Sequence, residues 1–420
     1  MMQQEALEIL KSGKNVFLTG EPGAGKTHTV NLFTEWLRQV NRNYAITAST
    51  GIAATHVSGK TIHSWTGLGI KRAVTDSFLD GLLFKEWITG PVNAAKVLII
   101  DEISMLDATM INNIDMVLRR VRGDDTPFGG IQIVLVGDFF QLPPVVRGDE
   151  RMQFAFESQA WKDAHLTICY LTEQHRQSDM EFLEILNAMR SGTIEELHKV
   201  RLRACTMQDE PDTHLFTHNA DVDAMNREEL AKIDAKEYVY HMTSSGHPYL
   251  VTMLKSQVLA PETLKIKKGA VVMFVKNNFE GGYVNGTVGV IEDFTHGGMP
   301  IVRTKDGRTI VPTIAEWMIE RNGFPEATVK QLPLRLAWAI TVHKSQGMSL
   351  DCASIDLSRA FEYGQGYVAI SRVRTLSGLH LKGLNAKAFE MHPRVVDMDV
   401  RFRTMDGKEL YTEGGTVYTV

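Results

Sequence analysis

Residues 14–37 read KNVFLTGEPGAGKTHTVNLFTEWL. A β-rich apolar run gives way to glycines, and Val30, Phe33, Trp36 and Leu37 then recur at helical spacing, which predicts a strand, a loop and a helix. Gly20 to Thr27 fits G-x-x-x-x-G-K-T. In such a loop Gly20, Gly23, Ala24 and Gly25 are small enough for backbone N–H groups to approach phosphate oxygens, and Lys26 reaches the β and γ phosphates. The Thr27 hydroxyl is placed to ligate magnesium, with His28 beside it in the first helical turn. The stretch therefore predicts an α/β fold built on a parallel sheet flanked by helices, holding ATP and Mg2+.

Two more apolar strands supply what a phosphate loop needs. In AKVLIIDEISMLD, residues 95–107, a buried-strand run ends in Asp101 and Glu102. A carboxylate at such a strand tip can hold magnesium through water, and its neighbour can orient or deprotonate the attacking water. Asp101 is assigned to the metal and Glu102 to catalysis. IQIVLVGDFFQLPPV, residues 131–145, passes through Gly137 and Asp138 to Gln141, whose uncharged amide can bond the γ phosphate and register its loss. Between loop and acidic strand, residues 43–70 predict a strand at Tyr44–Ala48 followed by Thr50, Gly51, Thr61 and His63. Small and hydroxyl-bearing residues there suit a nucleic-acid phosphate backbone, which needs donors but no sequence reading, and they serve equally as helix caps.

With 420 residues the chain exceeds one ordinary core and predicts two to four structural units, which 44% hydrophobic residues can fill. No apolar run approaches the roughly 18 residues of a membrane span, and MMQQEALEIL reads as an amphipathic helix rather than a leader. The expectation is a cytoplasmic protein, nucleoid-associated in a bacterium, with no targeting signal and no membrane partner. Cys169, Cys205 and Cys352 form no CxxC or CxxH pair, and the fourteen histidines form no HExxH. That pattern disfavours structural zinc and a disulfide framework, so a metal should arrive with a phosphate ligand. A net charge of -5 argues against a wholly positive surface but leaves room for a local basic groove.

Beyond residue 165 strands and helices alternate again, in segments 165–192, 214–230, 333–357 and 364–381. They suggest a second layer of parallel strands without a phosphate loop. It presents Arg176, Arg372 and Arg374 at the ends of elements. An arginine delivered to a γ phosphate raises turnover by roughly 10³ to 10⁵, and placing it away from the loop would make cleft closure depend on nucleotide. Within this half, TVHKSQGMSL (341–350) packs a His, a Lys, hydroxyls and a Gln around a glycine.

Taken together, GEPGAGKT (20–27), ASTGIAATHVSGKTIHSW (48–65), IDEISMLD (100–107), GDFFQLPPV (137–145), LTEQHRQSD (171–179), TVHKSQGMSL and YVAISRVRT (367–375) resemble the motifs of the Pif1 family of superfamily 1 DNA helicases. IDMVLRRVRGDDTPFGGIQ (114–132) is similar to the family's own signature. The resemblance implies two RecA-like domains and ATP-dependent, 5'-to-3' movement on single-stranded DNA with unwinding, in replication, repair, recombination or telomere maintenance. It implies that 341–350 is motif V, so Thr341, His343, Lys344 and Ser345 become DNA contacts and Gln346 and Gly347 coupling residues, Gly347 near the nucleotide. It further implies Gln3, with Gln4 as the alternative, as the adenine-recognising glutamine. Arg176 and Arg372 become the two arginine fingers and Asn219 a polar residue near the DNA backbone.

The implied domains are 1–165, carrying a small wedge at 66–93, and a second domain from 166–243 with 331–390. Residues 244–330 form an inserted SH3-like β-barrel in which Asn285 and Gly286 make a special turn and Asp306–Gly307 a hairpin. No residue of the wedge declares itself as a strand-separating pin. Residues 391–420 fit no motif, with a hairpin suggested at 405–410. Implied partners are single-stranded DNA and ss/ds junctions, with G-quadruplex DNA and RNA–DNA hybrids as further substrates for a monomer. The rival readings are a DNA-stimulated translocase that does not unwind and an oligomeric P-loop ATPase acting on protein.

Overall fold

The computed structural model describes the chain except residues 51–52, 55–56, 58, 70, 145–151, 174–178, 206–210, 212, 279, 284, 305, 322–323, 349, 414–415 and 420. It divides into two compact units. One comprises Met1–Arg201, Ala360–Leu376 and Asn385–Val420, the other Leu202–Arg359 and Ser377–Leu384.

The first unit opens with α1 (Gln3–Lys11), β1 (Val16–Gly20), α2 (Lys26–Gln39), β2 (Tyr44–Ala48) and β3 (Lys60–Thr61), and continues with β4 (Val97–Asp101), β5 (Gln132–Val136) and β6 (Thr167–Leu171). These strands form a parallel sheet in the order β3-β2-β4-β5-β1-β6. Every residue of β1, β5 and β6 is buried, as expected of parallel strands covered on both faces. On one face Leu7, Leu10, Val30, Phe33 and Leu37 of α1 and α2 pack on Val16, Leu18 and Val134. On the other, Phe17 meets Phe139, Trp161 and Phe402 at ring-centroid distances of 5.5, 4.9 and 5.0 Å. Because β1 lies between β5 and β6, the residues following all three strands emerge along one edge.

An inserted pair of helices, α3 (Asp76–Leu83) and α4 (Glu86–Ala94), is held by α5 (Ala108–Arg122), which begins the family-like signature stretch. Arg120 ion-pairs with Asp76 at 2.7 Å and also with Asp80. Arg122 donates to Val92 O and Ala95 O at the end of α4, each at 3.2 Å, and to Gly129 O within the signature. The unit is completed by α6 (Met180–Ser191), α7 (Gln365–Ile370) and α8 (Pro393–Thr404).

This allocation departs from the sequence reading, which opens the second layer at residue 166. Strand β6 pairs with β1 along its whole length, Val16 opposite Thr167 through Gly20 opposite Leu171, and α6 and α7 also belong to the first unit. A continuous apolar run shows that a strand is buried but not which sheet it joins. Residues 391–420 also acquire a role, since α8 delivers Phe402, 2% exposed, to the aromatic cluster. The hairpin suggested at 405–410 lies further on, between Leu410–Glu413 and Thr416–Thr419, while Asp406 and Glu409 bridge to β6.

In the second unit, strands Ala339–Thr341, His214–Phe216, Ala353–Leu357 and Leu379–Leu384 form a parallel sheet in that order. A five-stranded antiparallel sheet runs from Thr309–Ile310 through Pro300–Thr304, Val288–Phe294 and Val271–Phe274 to Leu334–Leu336. The expected Asp306–Gly307 hairpin is its first corner, with Gly307 at φ 82°. A separate three-stranded sheet packs Val329 and Ala327 against Leu254 of helix Pro248–Gln257. Among the described residues the insertion takes part in three sheets, the third pairing Thr263–Ile266 with Tyr238–His241, and it borrows Leu334–Leu336 from beyond residue 330, because Leu332 and Leu334 complete its core.

Candidate nucleotide and nucleic-acid sites

The candidate nucleotide site lies at the carboxyl edge of the first unit's sheet. The N-cap of α2 is Gly25, left-handed at φ 87°, with no side-chain cap and no acidic residue in the first helical turn. Its first N–H groups are therefore left for an anion, which the helix dipole also favours. A Cβ on Gly20 would lie 2.6 Å from the backbone oxygen of Leu171, which excludes a larger residue there, whereas at Gly25, where a Cβ would meet the Gln3 amide at 2.1 Å, it is the φ of 87° that favours glycine. The Gln3 amide lies over the loop, donating to Ala24 O at 3.3 Å, whereas the Gln4 amide bonds Glu8 on its own helix. Thr27 and His28 are exposed.

Lys26 turns its ammonium inward, donating to Gly20 O at 2.7 Å and Glu21 O at 3.1 Å. Burial lowers its pKa from the usual lysine value; Asp138, then Glu102 and Asp101, oppose that shift, and Arg190 adds to it. Burial also raises the Asp101 carboxyl, against the Glu102 N–H that it accepts at 2.8 Å and the charge of Lys26. Glu102 itself sits in the left-handed region at φ 52°, ψ 47°, a sparsely populated state for a non-glycine residue and one that recurs at active sites. Gly137 N bonds Leu18 O at 3.1 Å, so the segment after β5 runs beside the loop. Gln141 follows, 7% exposed, its N–H donating to Asp138 O.

These groups fit a magnesium-bound triphosphate. The helix start and Lys26 suit its phosphates, and Thr27 with Asp101, a carboxylate that burial destabilises, suits the cation. Among the described residues no group of three or more His, Cys, Asp or Glu is gathered to hold a metal alone, so phosphate oxygens would complete the shell.

Arg372 follows α7 in this same unit and is 1% exposed, with Nε donating to Val368 O at 2.8 Å and Nη2 to Ser371 Oγ at 2.9 Å. Before α7, a Cβ on Gly364 (φ 74°) would lie 2.4 Å from Phe140 O, which seats the helix on the segment carrying Gln141. Arg176 and Gly51 lie outside the described residues.

Of the nucleic-acid candidates in this unit, Thr50 Oγ1 accepts Ala53 N–H and Thr61 Oγ1 accepts Ser64 N–H. Both act as caps, the plainer of their two readings. His63 is half-buried, its pKa lowered by burial against the pull of Asp107. Sequence reasoning missed Phe84, 88% exposed at the C-cap of α3, with Leu83 beside it at 42%.

In the second unit Thr341 ends its strand and accepts Lys344 N–H at 3.3 Å, and the turn His343–Ser345 follows. Lys344 Nζ donates to Asn219 Oδ1 at 3.2 Å, bringing two candidates together. Burial lowers the Lys344 pKa, Arg335 adds to the shift and Asp223 opposes it. Ser345 is a correction: fully buried, it donates from Oγ to Val342 O at 2.8 Å and shapes the turn instead of presenting its hydroxyl. Gly347, at φ 78°, is exposed. The expected turn at Asn285–Gly286 is present with Gly286 at φ 93°, and a Cβ there would lie 3.4 Å from Met348 Cε.

Comparison with known proteins agrees with this arrangement. A family model described as PIF1-like helicase matches residues 3–200, and one described as the DNA helicase Pif1 2B domain matches 250–294. The ATP-dependent DNA helicase Pif1 of Psychrobacter sp. is 42% identical over 96% of this chain and 71% of its own length. The chain belongs to the Pif1 family of ATP-dependent DNA helicases. The Xenopus laevis Pif1 helicase is 39% identical over 94% of this chain, which spans only 63% of that relative. Among solved structures, Pif1 helicase from Candida albicans has a TM-score of 0.85 at 32% identity, covering 95% of this chain and 98% of that one. Pif1 helicase from Bacteroides in complex with ADP-AlF3 and ssDNA has a TM-score of 0.71 at 30% identity, covering 100% and 98%.

Proposed function

We propose that this chain moves 5'-to-3' on single-stranded DNA by hydrolysing ATP and parts duplex or structured DNA ahead of it, in genome maintenance, as a monomer. The observation that carries the reading is the meeting of phosphate loop, acidic strand end and Gln141 segment along one sheet edge, in a member of a DNA helicase family. Magnesium, when bound, would supply positive charge that offsets the charge of the phosphates. Lys26 exchanges the Gly20 and Glu21 carbonyls for phosphate oxygens. Thr27 and Asp101 hold the cation, and Gln3 faces the adenine. Glu102 orients the attacking water and takes its proton, Gln141 senses the γ phosphate, and Arg372 with Arg176 stabilises the charge that develops on transfer. Gly347 couples motif V to the nucleotide.

Thr50, Gly51, Thr61 and His63 in one unit and Asn219, Thr341, His343 and Lys344 in the other contact the phosphate backbone. Such binding weakens as salt rises and is insensitive to base sequence, which leaves ss/ds junctions, G-quadruplex DNA and RNA–DNA hybrids all within reach. ATP-dependent strand separation on matched duplexes with a 5' or a 3' single-stranded tail tests the reading. Opening from the 5' tail alone is expected. Opening from the 3' tail alone would overturn the polarity, and DNA-stimulated hydrolysis without opening would leave a translocase.

Phe84 is assigned the strand-parting contact, because an exposed aromatic ring can stack on an unpaired base. Phe84→Ala should slow strand separation about fivefold or more, the scale of one lost base–aromatic stack of roughly 1–3 kcal/mol, while DNA-stimulated ATPase stays near the parent. Equal loss of both activities would remove Phe84 from that role.

A further inference from the structure

Arg190 is the last-turn arginine of α6, and its guanidinium is 2% exposed. Its Nη1 donates to both oxygens of Asp138 at 2.9 Å and to Tyr367 OH at 3.2 Å, and its Nη2 to Tyr170 OH at 2.9 Å and Asp399 Oδ1 at 3.2 Å. The guanidinium also lies 4.2 Å from the centroid of the Phe140 ring. One side chain thus joins the segment after β5, strand β6, α7 and α8. The chain of ion pairs continues, with Arg403 bonding Asp399 at 2.8 Å and reaching Glu21 of the phosphate loop at 3.6 Å.

Asp138 has no exposed surface. It follows Gly137, whose N–H is bonded to β1, and β1 leads into Gly20, whose carbonyl holds the Lys26 ammonium. A buried carboxylate demands a cation. Arg190 is bonded to it, Lys26 feels its charge, and only Lys26 has work to do on phosphate. The attractive influence of Asp138 on Lys26 is the largest of its three carboxylate neighbours, and Arg190 acts in the opposite sense.

We propose that Arg190 is a positioning residue for nucleotide binding: it neutralises Asp138, leaving the Lys26 ammonium available to phosphate. Without Arg190, Asp138 captures Lys26 and ATP must displace it. The inference rests on the reading of Lys26 as the phosphate-binding lysine.

Binding of a fluorescent ATP analogue with magnesium, measured on the full chain, tests it. Arg190→Gln should weaken binding at least about tenfold, or ~1.4 kcal/mol, while Arg190→Lys, which keeps a charge on Asp138, should stay within about threefold. The double variant Asp138→Asn/Arg190→Gln, with the charge of Asp138 removed together with its partner, should also bind within about threefold of the parent. That recovery is what a merely structural role would not give. A double variant as weak as the single, or Arg190→Gln binding like the parent, overturns the proposal. Should Arg190→Gln not fold, the double variant decides: near-parental affinity supports screening and a tenfold loss refutes it. Failure of the Lys26 reading is distinguishable, because Lys26→Ala would then bind the analogue normally.

Discussion

Lys26→Ala is expected to abolish ATP turnover, with and without DNA. The ammonium already sits on two loop carbonyls, Gly20 and Glu21, amid three carboxylates, so the site is built around a positive charge that alanine cannot replace. Removing one preorganised donor from a site of developing charge costs about 10²- to 10³-fold in rate, and here the donor also holds the ground-state phosphates, so the loss should reach the limit of detection. The fold should survive, because losing Lys26 removes a destabilised buried charge. Steady-state hydrolysis at saturating single-stranded DNA, with circular dichroism as the folding control, is the check. Retained DNA-stimulated turnover would sink the assignment of this loop as the active site.

Arg372→Ala should lower kcat by roughly three decades, about 4 kcal/mol at 1.36 per decade, while ATP affinity changes less than about threefold. An interaction made only as charge develops on the transferred phosphoryl group leaves ground-state binding alone. The arginine is almost wholly enclosed and bonded to Val368 O and Ser371 Oγ, so truncation could loosen α7 as well. Arg372→Lys separates the two effects. It keeps charge and bulk but lacks the planar fork, and on the finger reading it should lose nearly as much turnover with a melting temperature near the parent. Normal turnover in either variant would take Arg372 out of that role.

What the sequence carried plainly was local grammar. A strand, a glycine loop and a helix in a fixed order at 16–39, and apolar strands ending in Asp101 or leading to Gln141, are recognisable because their chemistry lies within a few residues of one another. The choice of Gln3 over Gln4 rested on spacing, and the structure lays the Gln3 amide over Gly25. What escaped was non-local. Strand β6 and helix α6 read correctly as elements, but nothing in an apolar run names its neighbour, and both joined the first unit. Arg190 in sequence is one more cation in a last helical turn, a position where solvated arginines are common. Only the fold makes it the meeting point of Asp138, Tyr170, Tyr367 and Asp399. Ser345 misled in the opposite direction, because a hydroxyl inside a polar motif suggests contact while its own backbone had already claimed it. Phe84 was invisible because exposure is not written in residue type.

The contact between Phe17 and Phe402 has a consequence for how the molecule comes to be made. Strand β1 leaves the ribosome long before Phe402 of α8, which closes the apolar face around Phe17, Phe139 and Trp161 and emerges only after the whole second unit has been synthesised. Through most of translation the nascent sheet carries an uncovered aromatic surface, the kind of feature that draws chaperones and promotes aggregation. The sheet that carries the phosphate loop has this face closed only when the distant α8 returns to it.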